Sequence, residues 1–88
     1  MSCTVRIASP LHSYTAGASR VEGRGATLAE VLGDLEQRFP GIRFRMIDEQ
    51  DRMRAHMRFF VNGAQVFDLA HALSAGDQLQ IVQALSGG

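Results

Sequence analysis

Apolar and polar residues alternate near both ends of the chain and recur at helical spacing between them. In Cys3-Thr4-Val5-Arg6-Ile7 the alternation places Cys3, Val5 and Ile7 on one face and Thr4 and Arg6 on the other, which predicts a half-buried strand. Residues 9–17 are turn-rich, punctuated by Pro10 and Gly17. A weaker strand around Val21, spanning 19–24, is expected to return antiparallel to the first. Thr27-Leu28-Ala29-Glu30 reads as a capping box, the Thr27 hydroxyl accepting the Glu30 amide while the Glu30 carboxylate reaches back. From there Leu28, Val31, Leu32, Leu35 and Phe39 form one helical stripe, ended by Pro40-Gly41.

The second half of the chain is more broken. Ile42, Met46 and Ile47 have the spacing of one helical turn, and Asp48-Glu49-Gln50-Asp51 has the character of a solvated loop. Residues 57–61 predict a strand stopped by the turn pair Asn62-Gly63. A short return strand is expected over 64–67 and a short helical turn over 69–73. Ala75-Gly76-Asp77 turns the chain into a last strand over 78–83. This order predicts an α+β domain: a mixed four- to five-stranded sheet with one main helix covering one face. Two opening strands, a crossing helix and later strands suggest a β-grasp, in which the first and last strands lie parallel at the sheet's centre.

Behind that last strand stands Gly87-Gly88. With Gly88 as the terminus, the pair suggests that the functional group is a backbone α-carboxylate rather than a side-chain cluster. The expected division is a domain over 1–83 and a free tail over 84–88. Glycine suits such a tail because a residue without Cβ passes narrow channels and adopts backbone angles closed to others. Chance or an incidental flexible end would also produce the pair, so the body of the chain has to support the reading.

Composition narrows the alternatives. Eighty-eight residues, 45% hydrophobic and 20% charged, have the profile of one small globular domain. No apolar run is long enough to span a membrane and no signal segment opens the chain, which leads to an expectation of a cytoplasmic protein without membrane contact. Nine basic and nine acidic residues cancel, so no basic field recommends nucleic acid. Every basic residue is Arg, so lysine-linked chains of this protein are impossible. A single cysteine excludes an internal disulfide framework. Cys3 shares the phase of Val5 and Ile7 and reads as packing. His12, His56 and His71 lack metal-ligand spacing, so no metal site is expected. Met46, Met53 and Met57 read as core filling, and Arg52, Arg54 and Arg58 as a basic stripe beside His56. No paired carboxylates, nucleophile–base set or phosphate loop points to an enzyme acting alone.

A set of short stretches, in order, carries a resemblance. They are Leu11-His12-Ser13-Tyr14-Thr15-Ala16-Gly17, Gly25-Ala26-Thr27-Leu28-Ala29-Glu30-Val31-Leu32, Phe39-Pro40-Gly41-Ile42, Phe59-Phe60-Val61-Asn62-Gly63, Ala75-Gly76-Asp77 and Gly87-Gly88. The set resembles the MoaD/ThiS family of ubiquitin-like sulfur carriers nearly end to end. The resemblance implies a β-grasp protein co-substrate with no bound cofactor. An E1-like enzyme would use ATP to adenylate the Gly88 carboxylate, and sulfur transfer would leave a thiocarboxylate. A downstream synthase would then build molybdopterin, thiamin, cysteine or a similar metabolite. The Pro-Gly-Ile extension, the insert over 48–54 and the Phe-Val-Asn-Gly strand look nearest to carriers of the cysteine-biosynthesis type. Ala64 and Gln65 depart from that type, which usually has an acidic residue directly after Asn-Gly.

Docking requires a surface, and alternation predicts one. Phe59 and Val61 should point inward and Phe60 outward; Leu79 and Ile81 inward and Val82 outward. Phe60 and Val82, with Leu85 as a third member, would then form an apolar partner-binding patch near the tail. The first two also match the family's binding face. The alternative is that a loop or the insert covers Phe60. Other functional readings are the small subunit of a two-component synthase, a ubiquitin-like protein modifier, and a β-grasp interaction module whose glycine pair is incidental.

Overall fold

The computed structural model describes residues 2–84. Five strands form one sheet in the order β2-β1-β5-β3-β4, with β1 at Ser2–Arg6, β2 at Arg20–Arg24, β3 at Met57–Val61, β4 at Ala64–Val66 and β5 at Gln78–Gln83. All neighbouring strands are antiparallel except the central pair, β1 and β5, which run parallel with Val5 beside Leu79. This is the α+β, β-grasp arrangement that the alternation predicts.

Helix α1 at Leu28–Arg38 covers one face of the sheet. Its stripe of Leu28, Val31, Leu32 and Leu35 is buried, in one cluster with Val5, Phe59, Leu79 and Ile81. Phe39, at the end of the stripe, packs only partly buried against this core. On the other face of the sheet the β5 positions Gln78 and Gln80 are exposed. Cys3 belongs to the core and is 4% exposed; burial, with Asp77 and Glu22 nearby, pushes its thiol pKa up. Met46 and Met57 are buried and Met53 packs partly buried against them, as core filling requires.

The start of α1 shows how one connection is reshaped. Thr27 Oγ1 accepts the Glu30 amide at 3.2 Å, while Glu30 Oε1 reaches to the amide of Ala26, one residue beyond the capping position. Two more first-turn amides, those of Leu28 and Ala29, donate to the carbonyls of His71 and Leu69. Residues 69–73 therefore do not form the expected helical turn. Their carbonyls are used by the orphan amides of α1, and the segment instead makes a turn after Asp68 and a bridge from Ala72 to Thr27.

Helix α2 at Ile42–Met46 is the predicted single turn, with Ile42 and Met46 buried. Its first amides are held by Glu36 of α1, whose carboxylate accepts from Gly41 at 2.8 Å and Arg43 at 2.9 Å. The hairpin between β3 and β4 closes on Asn62 and Gly63 alone, with φ values of 51° and 88°. Two left-handed residues match the twist of flanking strands, which is why Asn-Gly serves there.

Two substitutions test this packing. Removing the Thr27 hydroxyl in Thr27→Ala should lower unfolding free energy by about 1 kcal/mol. A Cβ on Gly23 would lie 2.8 Å from both Val31 Cγ1 and Val5 Cγ2, so Gly23→Ala should cost about 1–3 kcal/mol. Urea titration reads both, and wild-type stability of Gly23→Ala would contradict the close packing of β2 against α1.

Candidate functional site: the tail end of the sheet

The direction of β5 defines the site. Because β5 is central and parallel to β1, the chain leaves the sheet at the end where β1 finishes and β3 begins, Met57 lying beside Gln83. The Ala84 amide donates to the His56 carbonyl at 2.7 Å, so pairing with the β3 side persists one residue beyond the strand. Gly87, Gly88 and Leu85, the two glycines and the third patch residue singled out from sequence, lie outside the described residues, as does nearly all of the 84–88 tail.

The opposite end of β5 is clamped by two turn motifs. Asp77 Oδ2 accepts the Ser74 amide at 2.8 Å and its Oδ1 accepts from Asn62 Nδ2 at 3.0 Å. Asn62 Oδ1 in turn accepts the Gln78 amide at 2.9 Å. The Ala75-Gly76-Asp77 and Asn62-Gly63 motifs thus form one lock that sets β5 against β3, and with it the register at the tail end. The Ser74 amide, then Asn62, hold the Asp77 carboxyl below its ordinary pKa.

Phe60 and Val82 lie on the open face, Phe60 paired with Gln80 and Val82 with Arg58. They are therefore diagonal neighbours across β3 and β5, within reach of each other's side chains. Both are half-buried rather than fully exposed. Phe60 is flanked on its other side by Gln65 of β4. Cys3 is placed at the far end of the sheet, before Thr4 meets the beginning of β5. Among the described residues no group of three or more His, Cys, Asp and Glu is placed to hold a metal ion. No helix among them is long and apolar enough to cross a membrane.

The basic stripe expected from 52–58 is not formed. Only Arg58 lies in a strand; Arg52 pairs with Asp48 at 3.6 Å, and Arg54 stacks over the Phe44 ring at 4.5 Å. The insert before β3 is folded by its own turns, so even-numbered residues there share no strand face. In its place the structure brings Phe44, Arg45, Arg54 and His56 together beside Gln83. The sequence does carry a signal for part of this: a turn that buries Ile42 and Met46 must present Phe44 outward.

Known proteins bear out this architecture. A family model described as the ThiS family matches residues 5–88. The sulfur carrier protein CysO of Mycobacterium bovis and that of Mycobacterium tuberculosis are each 34% identical over 93 residues, covering 100% of this chain and 100% of theirs. A chain of the crystal structure of the Amycolatopsis orientalis BexX/CysO complex superposes with a TM-score of 0.90 at 34% identity, covering 98% of this chain and 99% of that one. SAMP1 from Haloferax volcanii follows with a TM-score of 0.84 at 25% identity, covering 100% of both chains. The fold is that of a ubiquitin-like carrier, a co-substrate rather than an enzyme. The chain belongs to the ThiS family, and within it is a homologue of the CysO sulfur carriers. The cysteine-type resemblance thus holds in spite of Ala64 and Gln65, which sit on the hairpin at the end away from the tail.

The Asp77 lock has a pH signature. Asp77, Glu36 and Asp48 all have folded pKa values lowered, chiefly by backbone amides of Ser74, Gly41 and Arg52 respectively. A lowered folded pKa gives stability that is complete above the unfolded value of about 4 and is lost as pH falls through the folded value. The urea midpoint should hold from pH 7 to 5 and fall below about pH 4. Asp77→Asn should lower it at neutral pH and flatten the acid limb, and an unchanged acid limb would contradict the lock.

Proposed function

We propose that this protein carries sulfur on the α-carboxylate of Gly88 and delivers it to a synthase, cysteine formation being the reading its CysO relatives favour. The observation that carries the proposal is family membership across 5–88, together with a central β5 that runs toward the tail side of the sheet. A carboxylate is ionised at neutral pH, with an α-carboxyl pKa of about 3.5, and resists attack because of its charge. An E1-like enzyme removes that resistance. A Gly88 oxygen attacks the α-phosphorus of ATP, pyrophosphate leaves, and an acyl adenylate forms. Hydrosulfide then attacks the carbonyl carbon, AMP leaves, and the thiocarboxylate remains. The carrier supplies no catalytic side chain and binds no cofactor of its own; ATP belongs to the activating enzyme.

The division of labour follows from reach. Residues 84–88 span at most about 17 Å when extended, enough to enter an active site while the domain stays outside. Gly87 and Gly88 admit that passage because they lack Cβ. Phe60 and Val82 on the open sheet face form the apolar surface against which the activating enzyme and the synthase dock in turn; Leu85, outside the described residues, is the third residue assigned to that contact. The Amycolatopsis CysO crystallised with BexX supports such a second partner. The likeness to SAMP1, a small archaeal modifier protein, supports a second reading in which Gly88 is joined to lysines of other proteins. The absence of any lysine in this chain means that such conjugates would not extend into lysine-linked chains.

Pyrophosphate exchange with an E1-like enzyme of the same host tests the main reading. Wild-type carrier should support ATP–pyrophosphate exchange. Gly88→Val should lose it by more than about a hundredfold, a steric block worth about 3 kcal/mol or more, with an unchanged urea midpoint. Phe60→Arg should raise the KM for the carrier with little effect on kcat. Equal exchange by Gly88→Val would overturn the proposal.

A further inference from the structure

The Phe60–Val82 patch does not account for every exposed aromatic side chain near the tail end, where Phe67, 77% exposed, follows β4 beside the start of β3 and Phe44 lies on α2. Phe44 is 54% exposed, a large aromatic side chain on a turn whose other residues are buried or polar. It walls a cleft of 350 Å³ together with Pro10, Arg45, Arg54, His56 and Gln83. Gln83 is also where β5 ends and where the chain departs for its functional terminus. Anything that receives the tail comes close to this cleft, whichever part of the sheet it also touches.

The cleft is built to hold a positive charge steady rather than to neutralise it. The Arg54 guanidinium lies 4.5 Å from the Phe44 ring centroid, and its Nε donates to the Phe44 carbonyl at 2.7 Å. Arg45 lies over the Tyr14 ring at 5.9 Å. Both guanidiniums are thereby oriented, yet neither makes an ion pair among the described residues. Among those residues no carboxylate lines the cleft. Asp48, a carboxylate that feels the Arg54 charge, is occupied by the amides of Gln50 and Arg52 and by the Arg52 guanidinium. Arginine with its Nε occupied still offers its terminal nitrogens to a carboxylate. An oriented arginine beside an exposed aromatic ring is also the composition of an interface hot spot.

We propose that this cleft is a second docking site, which takes an acidic, apolar-tipped segment of the protein that receives the tail. An aliphatic side chain of that segment covers the free face of Phe44, and flanking carboxylates meet Arg45 and Arg54. The contact lies off the Phe60–Val82 face, so it fixes the rotation of the carrier about its tail, which a single apolar patch does not. The identity of the partner rests on the carrier reading; the chemistry of the cleft does not.

The test uses ¹⁵N-labelled full-length protein and a ten-residue peptide alternating glutamate with leucine. Saturable shifts are expected at the amides of Phe44, Arg45, Arg54, His56 and Gln83, weakening as salt is raised. Arg45→Gln with Arg54→Gln, its fold confirmed by a dispersed spectrum, should weaken binding about tenfold or more. Absence of saturable shifts, equal shifts with a control peptide alternating lysine with leucine or with a single-stranded oligonucleotide, or shifts centred on Phe60 and Val82 would each overturn the docking site. Gly88→Val should bind the peptide as wild type does. Peptide binding without pyrophosphate exchange by the wild-type chain therefore counts against the carrier reading alone, and exchange without peptide binding against the docking site alone.

Discussion

Parallel pairing of β1 with β5 is the constraint on which the rest of this molecule depends. Three residues of each strand are in register, with Thr4 beside Gln78, Val5 beside Leu79 and Arg6 beside Gln80. A parallel pair cannot be closed by a hairpin, so the whole of the intervening chain must cross between them. That crossing contains α1, which buries Leu28, Val31, Leu32 and Leu35 in the core that also holds Val5 and Leu79. Burial of this core and placement of the tail are one event. A chain that failed to bring β5 to the centre would lose both the hydrophobic cluster and the direction in which Ala84 leaves.

A formal charge of zero conceals a division of labour between acids and bases. Asp34, Glu30, Glu36, Asp48, Asp68 and Asp77 all accept backbone amides inside the fold, at a helix start, a turn or a strand edge. Arg38, Arg43 and Arg52 are paired with carboxylates. Arg6, Arg20, Arg24, Arg45, Arg54 and Arg58 make no ion pair among the described residues. Arg6 and Arg58 lie near the end where β5 finishes, as do Arg45 and Arg54. The acids thus serve folding while much of the positive charge stays available to partners. Surface ion pairs contribute little to stability, so leaving these arginines unpaired costs the fold little.

How much of the molecule is legible in its sequence depends on which forces act locally. The stripe of α1, the alternation of β1, β3 and β5 and the Asn62-Gly63 turn follow from period and turn chemistry, and each is present. The 69–73 segment escapes local reading because its conformation is set by α1, a remote element whose first amides need its carbonyls. A basic stripe over 52–58 fails because strand alternation does not extend into a loop folded by Asp48. Alternation puts Phe60 and Val82 on the correct face, but their diagonal offset requires the register between β3 and β5. The cleft at Phe44 joins the 9–17 turns, α2, the insert and β5, and no local pattern announces such a convergence.

A sulfur carrier of this kind is defined by one atom on the carboxyl group of Gly88. Purify the protein from its native host under non-reducing, thiol-free conditions and measure the intact mass before and after a thiol-alkylating reagent, locating any adduct by fragmentation. If Gly88 carries sulfur, a fraction of the protein has one oxygen replaced by sulfur, with the alkyl group on Gly88 and not on buried Cys3. Unmodified protein alone, in cells actively making sulfur metabolites, or Gly88 found only in amide linkage to lysines of other proteins, would contradict it.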